Sequence, residues 1–474
     1  MTERDARPAS DADVGTGPHV AGEPEAASGR TRDRVFTRRP VDREILRLAV
    51  PALGALIAEP LFLLADSAMV GHLGVTPLAG LGIASAILQT IIGLMVFLAY
   101  STTPAVARRL GAGDERGAVA AGVDGSWLAL GIGVVLAVCG WFAAPLLVAA
   151  FGAPPEVAAQ ATTYLTISML GLPAMLLVFA ATGLLRGLQD TRTPLIVAVA
   201  GFGANVVLNF IFIYGLGLGI AGSALGTVVA QWAMVLVYLV VVAKHARRVG
   251  APLLPHHAGI RSSALSGGWL FVRTASLRAA MLLAVFTATR LGPDELAAFQ
   301  VTMTVFATVA FALDALAIAA QALVGKGLGG GDVEGVRAVL RRCIQWGVLS
   351  GVVFGAVVVV TAPFAAALFT NDPAVAALLP IALVIIGVGA PLGGYVFVLD
   401  GVLIGAGDAR YLAWTGLVNV AAFIPLALAV GAWASSDAAG LAWLTAAFAF
   451  GYVGARAVTL GLRARGTKWM RPGV

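Results

Sequence analysis

Two acidic residues, Glu59 and Asp66, lie in an otherwise apolar stretch near the start of the chain. They are two helical turns apart, so both carboxyl groups lie on one face of an α-helix. An ionised carboxylate facing lipid costs several kcal/mol, so such residues line a water-filled cavity, have a bonding partner or take up a proton. Pro60 removes a backbone hydrogen bond beside Glu59, which predicts a helix bend there. Hydrogen-bonded packing between helices remains the alternative role for both acids.

Further polar residues interrupt the apolar stretches downstream. Asn205 and Asn209 are four residues apart on one helix face, and their carboxamide oxygens suit Na⁺ or a protonated carboxyl group. Amides that join neighbouring helices are the alternative. Asp314 and Asp400 are candidates for a second coupling site or a substrate cavity. Three glutamines are weaker candidates for a cavity lining: Gln89, Gln300 and Gln321.

The composition restricts the class of protein. Of the 474 residues, 59% are hydrophobic and 12% are charged, and the mean hydropathy is +0.91. A soluble domain has roughly a quarter of its residues charged. These fractions exclude a secreted disulfide scaffold, a disordered chain and a cytosolic enzyme, and they predict an all-α polytopic membrane protein. Cys139 and Cys343 match no disulfide or metal pattern and are interpreted as packing residues.

Twelve apolar stretches are each long enough to cross a hydrocarbon core of about 30 Å as a helix. None alternates apolar with polar residues as a barrel strand does. We predict a disordered tail (1–41), a first lobe (42–243), an inter-lobe loop (244–263), a second lobe (264–461) and a basic C-terminal tail (462–474). The predicted spans cover approximately residues 46–72, 78–105, 122–150, 157–182, 193–214, 221–243, 264–290, 295–325, 343–368, 374–404, 410–432 and 438–461.

Lysine and arginine lie almost only before the first span and in alternate loops. Because these residues are retained on the cytoplasmic side, both termini are predicted to be cytoplasmic in a multi-pass protein of the cell membrane. The formal net charge of +6 then reflects topology, and no nucleic-acid partner is expected. The basic residues that show this bias include Arg38, Arg39, Arg43, Arg47, Arg108, Arg109, Arg116, Arg186, Arg192, Lys244, Arg247, Arg248, Arg261, Lys326, Arg337, Arg341, Arg342 and Arg410, whereas the other loops hold only Arg290.

The two halves of the chain match each other at a constant offset of 218 residues. LGAGD at 110–114 matches LGGGD at 328–332, and the Gly, Leu, Asp and Arg positions of 183–192 recur at 401–410. Six spans in each half make the halves parallel repeats related by a pseudo-twofold axis along the membrane normal. Transporters built in this way bind substrate between the lobes. Duplication in a non-transporting membrane protein is the alternative.

The acids of the first span are absent from the second half. The counterpart of Asp66 is Ala284, and that of Glu59 is Leu277. A residue found in only one repeat is a better candidate for function than the duplicated scaffold.

Three blocks carry a family resemblance: IAEPLFLLADSAMVGHLG at 57–74, RGLQDTRTP at 186–194 and DALAIAAQALVG at 314–325. They resemble the multidrug and toxic compound extrusion (MATE) family, specifically its DinF-like branch. The resemblance implies an antiporter of twelve helices in two lobes that exports amphipathic, often cationic, small molecules by using a Na⁺ or H⁺ gradient. It also implies that Asp66 is the coupling acid, with Asn205, Asn209 and Thr227 at the other positions of the first-lobe cation site.

The chain departs from the family pattern at two positions. Asn209 stands where an Asp is usual, which leaves Asp66 as the only acid of that site and weakens its attraction for Na⁺. We therefore expect H⁺ coupling through Asp66, with Na⁺ at Asp66 as the alternative and no other metal or cofactor. Gln321 stands where similar sequences often carry Glu, so acid chemistry in the second lobe would rest on Asp314 and Asp400.

Two other functions are weighed against transport of this kind. A flippase for a lipid-linked saccharide needs cationic groups against pyrophosphate, and Arg273 and Arg278 keep that alternative open. A membrane-embedded enzyme needs a cluster of His, Asp or Cys near one face, which the sequence does not suggest. We expect small-molecule substrates and membrane lipids as partners and a monomeric protein.

Overall fold

The computed structural model describes residues 41–434 and 437–473, without the side chains of residues 366 and 367. The predicted disordered tail therefore lies outside the described residues, except for residue 41. The described residues are helical nearly throughout and contain no β-strand. The first six spans are Val41–Gly71, Val75–Met95 with Phe97–Gly111, Glu115–Ala149, Pro155–Met169 with Leu172–Gly187, Arg192–Phe210 with the π-helical Ile211–Gly215, and Gly219–Val249.

The second six spans follow the same order. They are His257–Leu291, Pro293–Gly329, Val333–Phe369, Pro373–Gly405, Ala409–Trp433, and Ala438–Ala446 with the π-helical Ala447–Tyr452 and Val453–Arg465. Eleven helices of the described residues are long and apolar enough to cross a membrane, and the twelfth crossing is span 4. Large apolar side chains such as Phe142, Phe364 and Trp433 are exposed on the outside of the bundle, which is how helices present themselves to lipid.

Span 4 is bent by 49° between its two helices. The break lies at Leu170 and Gly171, just before Pro173, which has no N–H to donate to the preceding turn. The indole Nε1 of Trp232 in span 6 donates to the carbonyl oxygen of Leu170 at 3.0 Å. This bond occupies a carbonyl oxygen at the exposed break, where lipid offers no donor.

Helix packing repeats between the two lobes. In the first lobe span 1 packs against span 5, and span 4 packs against spans 2 and 3; in the second lobe the corresponding pairs are 7 with 11, and 10 with 8 and 9. Gly183 packs on the backbone of Ala99, and its counterpart Gly401 packs on Ala317. All of these pairs obey the 218-residue offset, so the sequence repeat is a repeat of backbone contacts.

The lobes touch where the arginine-rich turns are gathered, here called the basic end (the turns near residues 112, 189, 330 and 407). Gly111 and Gly329, which are repeat counterparts, lie against each other's helix: a Cβ on Gly111 would overlap Lys326, and one on Gly329 would overlap Arg108. Arg108 of span 2 donates to the carbonyl oxygen of Ala406 in the second lobe at 2.8 Å. Glycine in the repeated LG motif thus permits the two lobes to meet backbone to backbone.

Several predicted boundaries differ from the structure. The inter-lobe loop is not 244–263 but 250–256, because the helix of span 6 continues through its basic residues to Val249, where Gly250 ends it with φ 67°. Basic residues stabilise the last turn of a helix, so the helix does not end at the edge of the apolar stretch. Arg186 was assigned to a loop, but it lies within the helix of span 4.

The basic C-terminal tail, predicted as 462–474, also differs. Span 12 continues to Arg465, and the following residues fold against the basic end. Trp469 is only 2% exposed. The amide of Gly473 donates to the carbonyl oxygen of Leu328 at 3.0 Å, and Arg108 donates to the carbonyl oxygen of Gly473 at 2.9 Å. A tail that leaves the second lobe is therefore held by an arginine of the first.

Candidate coupling site

Asp66 lies inside the first lobe and accepts hydrogen bonds from three neighbouring spans. Its Oδ1 accepts from Ser223 Oγ of span 6 at 2.5 Å and from Asn209 Nδ2 of span 5 at 2.8 Å. Its Oδ2 accepts from Tyr164 OH of span 4 at 3.4 Å. Asp66 is 3% exposed, and its three partners are also buried. Packing of span 1 on span 5 thus brings together residues that are about 100 to 160 positions apart.

A second pair of polar residues lies beside this cluster. Asn205 Nδ2 donates to Thr227 Oγ1 at 3.0 Å, while the Oδ1 atoms of Asn205 and Asn209 are buried without a hydrogen-bond partner among the described residues. Gly226 provides the space for Asn209, since a Cβ at that position would overlap the Asn209 carboxamide oxygen. Two carbonyl-type oxygens with unused lone pairs therefore lie within one turn of each other in span 5.

Asp66 has no counter-ion among the residues that the structure describes. No ion pair within the described ranges involves this carboxylate, and its three partners are neutral donors. Neutral donors stabilise a carboxylate without cancelling its charge, so a proton or a small cation can still gain by binding there. This combination of burial, donors and uncancelled charge is what an exchangeable cation site needs.

Two cavities adjoin the site. A first-lobe cavity of about 80 Å³ is lined by Tyr164, Asn205 and Thr227 together with Glu59 and Gln89. A larger inter-lobe cavity of about 310 Å³ is lined from both lobes, and Glu59 and Gln89 belong to its wall as well. Glu59, predicted to face a cavity, thus lies where the two cavities share a wall, whereas Asp66 lies behind Tyr164.

The acids of the second lobe have different surroundings. Asp400 is paired with Arg273 and lies 3.5 Å from the guanidinium Nη2 of Arg456; it lines neither cavity. Asp314 lines the inter-lobe cavity, where its Oδ2 accepts from Tyr100 OH of the first lobe at 3.3 Å. Two cations already occupy the bonding positions of Asp400, so it is a poor candidate for a coupling acid.

The three predicted glutamines differ in burial and in whether they line a cavity. Gln89 lines both cavities, as just described. Gln321 is buried and joins the lobes, since its Nε2 donates to the backbone oxygen of Tyr100 at 3.0 Å. Gln300 is exposed and lines neither cavity. Only Gln89 of the three therefore has the cavity position that was predicted.

Sequence reasoning missed two partners of Asp66. Ser223 is four residues before Thr227 in span 6, the same spacing as Asn205 and Asn209 in span 5, so a search for paired polar positions would have found it. Tyr164 carries no such signal, because a single tyrosine in an apolar helix is common. Arg186 was also missed as a cavity residue, since it resembled a loop arginine.

The donor set around Asp66 suits a monovalent cation better than a multi-ligand metal site. The described ranges contain no group of three or more His, Cys, Asp or Glu residues able to hold one. Sodium is compatible with a single carboxylate and neutral oxygens, and Asp66, Asn205, Asn209 and Thr227 provide such a set. However, Asn209 directs its amide nitrogen, not its oxygen, towards Asp66.

Comparison with known proteins identifies the family. The MatE family model matches residues 51–211 and again residues 271–433. The chain belongs to the MATE family. Because one model matches each half, the comparison also confirms the internal repeat. MATE proteins are transporters and not enzymes, so the alternative of a membrane-embedded enzyme is excluded.

Relatives and solved structures agree with this assignment. The chain is 31% identical to Protein DETOXIFICATION 43 of Arabidopsis thaliana over 82% of its length and 84% of the relative. It is 30% identical to DNA damage-inducible protein F of Escherichia coli, with 85% and 88% covered. A MATE structure in the straight conformation has a TM-score of 0.82 at 24% identity (93% and 98% covered), and a Vibrio cholerae MATE transporter in the bent form has 0.82 at 21% (91% and 97%). The solved structures support the two-lobe fold.

Proposed function

We propose that this MATE protein is a proton-coupled antiporter that exports amphipathic small molecules, and that Asp66 is the carboxylate that binds and releases the proton. The observation that carries the proposal is the buried Asp66 carboxylate, which has three neutral donors and no counter-ion within residues 41–434 and 437–473. Relatives named as probable multidrug resistance proteins, from Pseudomonas putida and Thermotoga maritima, support export of small molecules.

The arrangement of donors favours H⁺ over Na⁺. Asn209 and Ser223 both donate to Oδ1 of Asp66, and this arrangement stabilises an ionised carboxylate that can take up a proton. Binding of Na⁺ would require the amide oxygen of Asn209 to replace its nitrogen, and Gly226 packs directly against that oxygen. A second acid, which would attract Na⁺ more strongly, is absent from the cluster within the described residues.

Protonation would act on span 1, which carries both Asp66 and Pro60. The helix is continuous through Pro60 in this structure, and the proline removes one of the hydrogen bonds that would hold it straight. Loss of the Asp66 charge weakens its hydrogen bonds to spans 4, 5 and 6. The part of span 1 that follows Pro60 is then free to bend. The first-lobe cavity lies between these helices, so a bend would reduce the space available to substrate.

The test uses the full chain in proteoliposomes with an imposed H⁺ or Na⁺ gradient and an amphipathic fluorescent dye. We expect the H⁺ gradient alone to drive efflux, Asp66→Asn to abolish it, and Asp294→Asn, an exposed acid outside the site, to behave as wild type. Efflux driven only by Na⁺ would show that Na⁺, and not H⁺, is the coupling ion. Full gradient-driven efflux by Asp66→Asn would refute the scheme. Asn209→Asp restores a second acid, so we expect it to add a Na⁺ dependence.

We further propose that the membrane is the cell membrane, with both termini on the cytoplasmic side. The bias of Lys and Arg towards alternate turns supports this orientation. The contact between the lobes at the basic end would then close the cytoplasmic side. Cysteine introduced at an exposed position of the basic end should react with an impermeant thiol reagent only after the cells are opened.

A further inference from the structure

Arg278 and Glu59 are charged groups of the inter-lobe cavity that lack a bonded partner among the described residues. Arg278 of span 7 lines this cavity, and no hydrogen bond, ion pair or ring contact joins it to any residue that the structure describes. Two buried arginines of the second lobe, Arg273 and Arg456, lie against Asp400, and Arg186 of the first lobe shares the cavity wall with Asp314. Arg278 is an exposed residue that lines the cavity, so its charge is open to a ligand bound there.

Arg278 is also held in a definite place. It extends from the second lobe to the first, where its guanidinium lies on Gly93 of span 2; a Cβ on Gly93 would overlap the guanidinium. Because Gly93 has no side chain, the guanidinium of Arg278 can reach the backbone of the first lobe. The charge is therefore presented at the contact of the two lobes, where a substrate between them would meet it.

The same cavity contains an unpaired acid. Glu59 lines the cavity from span 1, and neither it nor Arg278 has an ion-pair partner in the described part of the chain, so the two are not paired with each other. The rest of the wall is largely apolar and includes the aromatic rings of Phe179, Phe202 and Phe311. A cavity with a separate acid, a separate guanidinium and aromatic walls fits a flat amphiphile with both charges.

We infer that the inter-lobe cavity selects zwitterionic amphiphiles, and that Arg278 is the specificity residue that binds the carboxylate of the substrate while Glu59 faces its cationic end. The inference rests on the proposed export function and names the class of substrate. A guanidinium binds a carboxylate through two parallel hydrogen bonds, which a methyl ester cannot accept in the same way. A dye carrying only a cationic group should bind more weakly.

The probe is a pair of xanthene dyes that share a cationic aminoxanthene and differ at one group, a free carboxylate or its methyl ester. Equilibrium binding to the full chain in lipid nanodiscs is measured by fluorescence anisotropy, with no ion gradient. We expect wild type to bind the acid about tenfold more tightly than the ester, a difference of about 1.4 kcal/mol.

Variants assign this preference to residues. Arg278→Gln should bring the two affinities to within about twofold, Arg278→Lys should retain part of the preference, and Arg290→Gln, on the same helix outside the cavity, should leave it unchanged. Glu59→Gln should weaken both dyes by the same factor, since both carry the cation. Gly93→Ala displaces the guanidinium without removing it and should lower the preference for the acid.

Equal binding of acid and ester by wild type would overturn the inference, as would an unchanged preference in both Arg278→Gln and Gly93→Ala. The readout needs no gradient, so it does not depend on the coupling role of Asp66. Proton-driven efflux with no preference for the acid dye would refute only the proposed substrate class. A preference for the acid dye without proton-driven efflux would refute only the proposed coupling scheme.

Discussion

Two buried carboxylates, one in each lobe, have opposite surroundings. Asp66 in the first lobe is bonded by an amide, a hydroxyl and a phenol, while Asp400 in the second lobe lies between Arg273 and Arg456. Neutral donors leave the negative charge available to a proton, whereas two guanidinium groups cancel it permanently. At equal burial, the two partner sets are the basis on which we propose an exchange function for Asp66 and a structural role for Asp400. The two lobes share a scaffold, and the partner set decides the role.

The largest difference is expected in stability. Asp400→Asn leaves two buried guanidinium groups without an acid, which should lower the free energy of unfolding by about 3 to 5 kcal/mol. Asp66→Asn leaves only neutral groups and should cost about 1 kcal/mol or less. Thermal unfolding in detergent compares the two, with Asp294→Asn as the control. Equal destabilisation by both substitutions would contradict the distinction between an exchangeable and a fixed carboxylate.

The next effect concerns the position of Asn209. Gly226→Ala puts a methyl group where the Asn209 carboxamide oxygen lies, so the amide must turn away from Asp66. We expect gradient-driven efflux to fall about tenfold, equivalent to about 1.4 kcal/mol. Gly203→Ala is the matched control, since a Cβ there meets no atom within 4 Å. If the two alanine variants transport at the same rate, the Asn209 contact is not needed for coupling.

A smaller effect is expected in the pH profile. Ser223→Ala removes one donor to Asp66 and thus destabilises its ionised form relative to its protonated form. The protonated form then persists to higher pH, so the alkaline limit of proton-driven efflux should move up by about 0.5 to 1 pH unit, given about 1 kcal/mol for a hydrogen bond. Rates measured from acid to alkaline pH show the shift. A downward shift would mean that Ser223 stabilises the protonated acid instead.

The smallest effect distinguishes the coupling ions. Thr227 bonds to Asn205 and not to Asp66, so Thr227→Val should change proton-driven efflux by less than about twofold if each lost neutral bond has its usual small net value. In a sodium site the same hydroxyl would be a ligand, and its loss would abolish Na⁺ dependence. Efflux under each gradient, measured in wild type and in this variant, therefore sharpens the choice of ion.

Much of this arrangement was predictable from the sequence, for physical reasons. Membrane thickness fixes span length, and the 218-residue offset fixes the pairing of helices, so twelve spans in two lobes followed directly. Asp66 and Asn209 were recognisable because isolated polar groups in apolar helices are costly. The span ends were not, because a helix continues into water until a residue such as Gly250 ends it.

Partners across the bundle were harder to predict. Arg273 and Asp400 are 127 residues apart, and nothing in either segment indicates that the two pair. Arg186 has the sequence context of a loop arginine, and only the packing of span 4 against the second lobe turns it into a cavity residue. The charge balance of a cavity depends on such long-range contacts, which is why the substrate class that we propose rests on the structure and not on the sequence alone.

The central claim is that Asp66 carries the exchangeable proton. Its most direct test is substrate-induced proton release by the full chain in weakly buffered detergent solution, followed with a pH-sensitive dye. The account predicts release of about one proton per protein for wild type and for Asp294→Asn, and none for Asp66→Asn at the same substrate occupancy. Undiminished proton release by Asp66→Asn would show that another group carries the proton and would contradict the account.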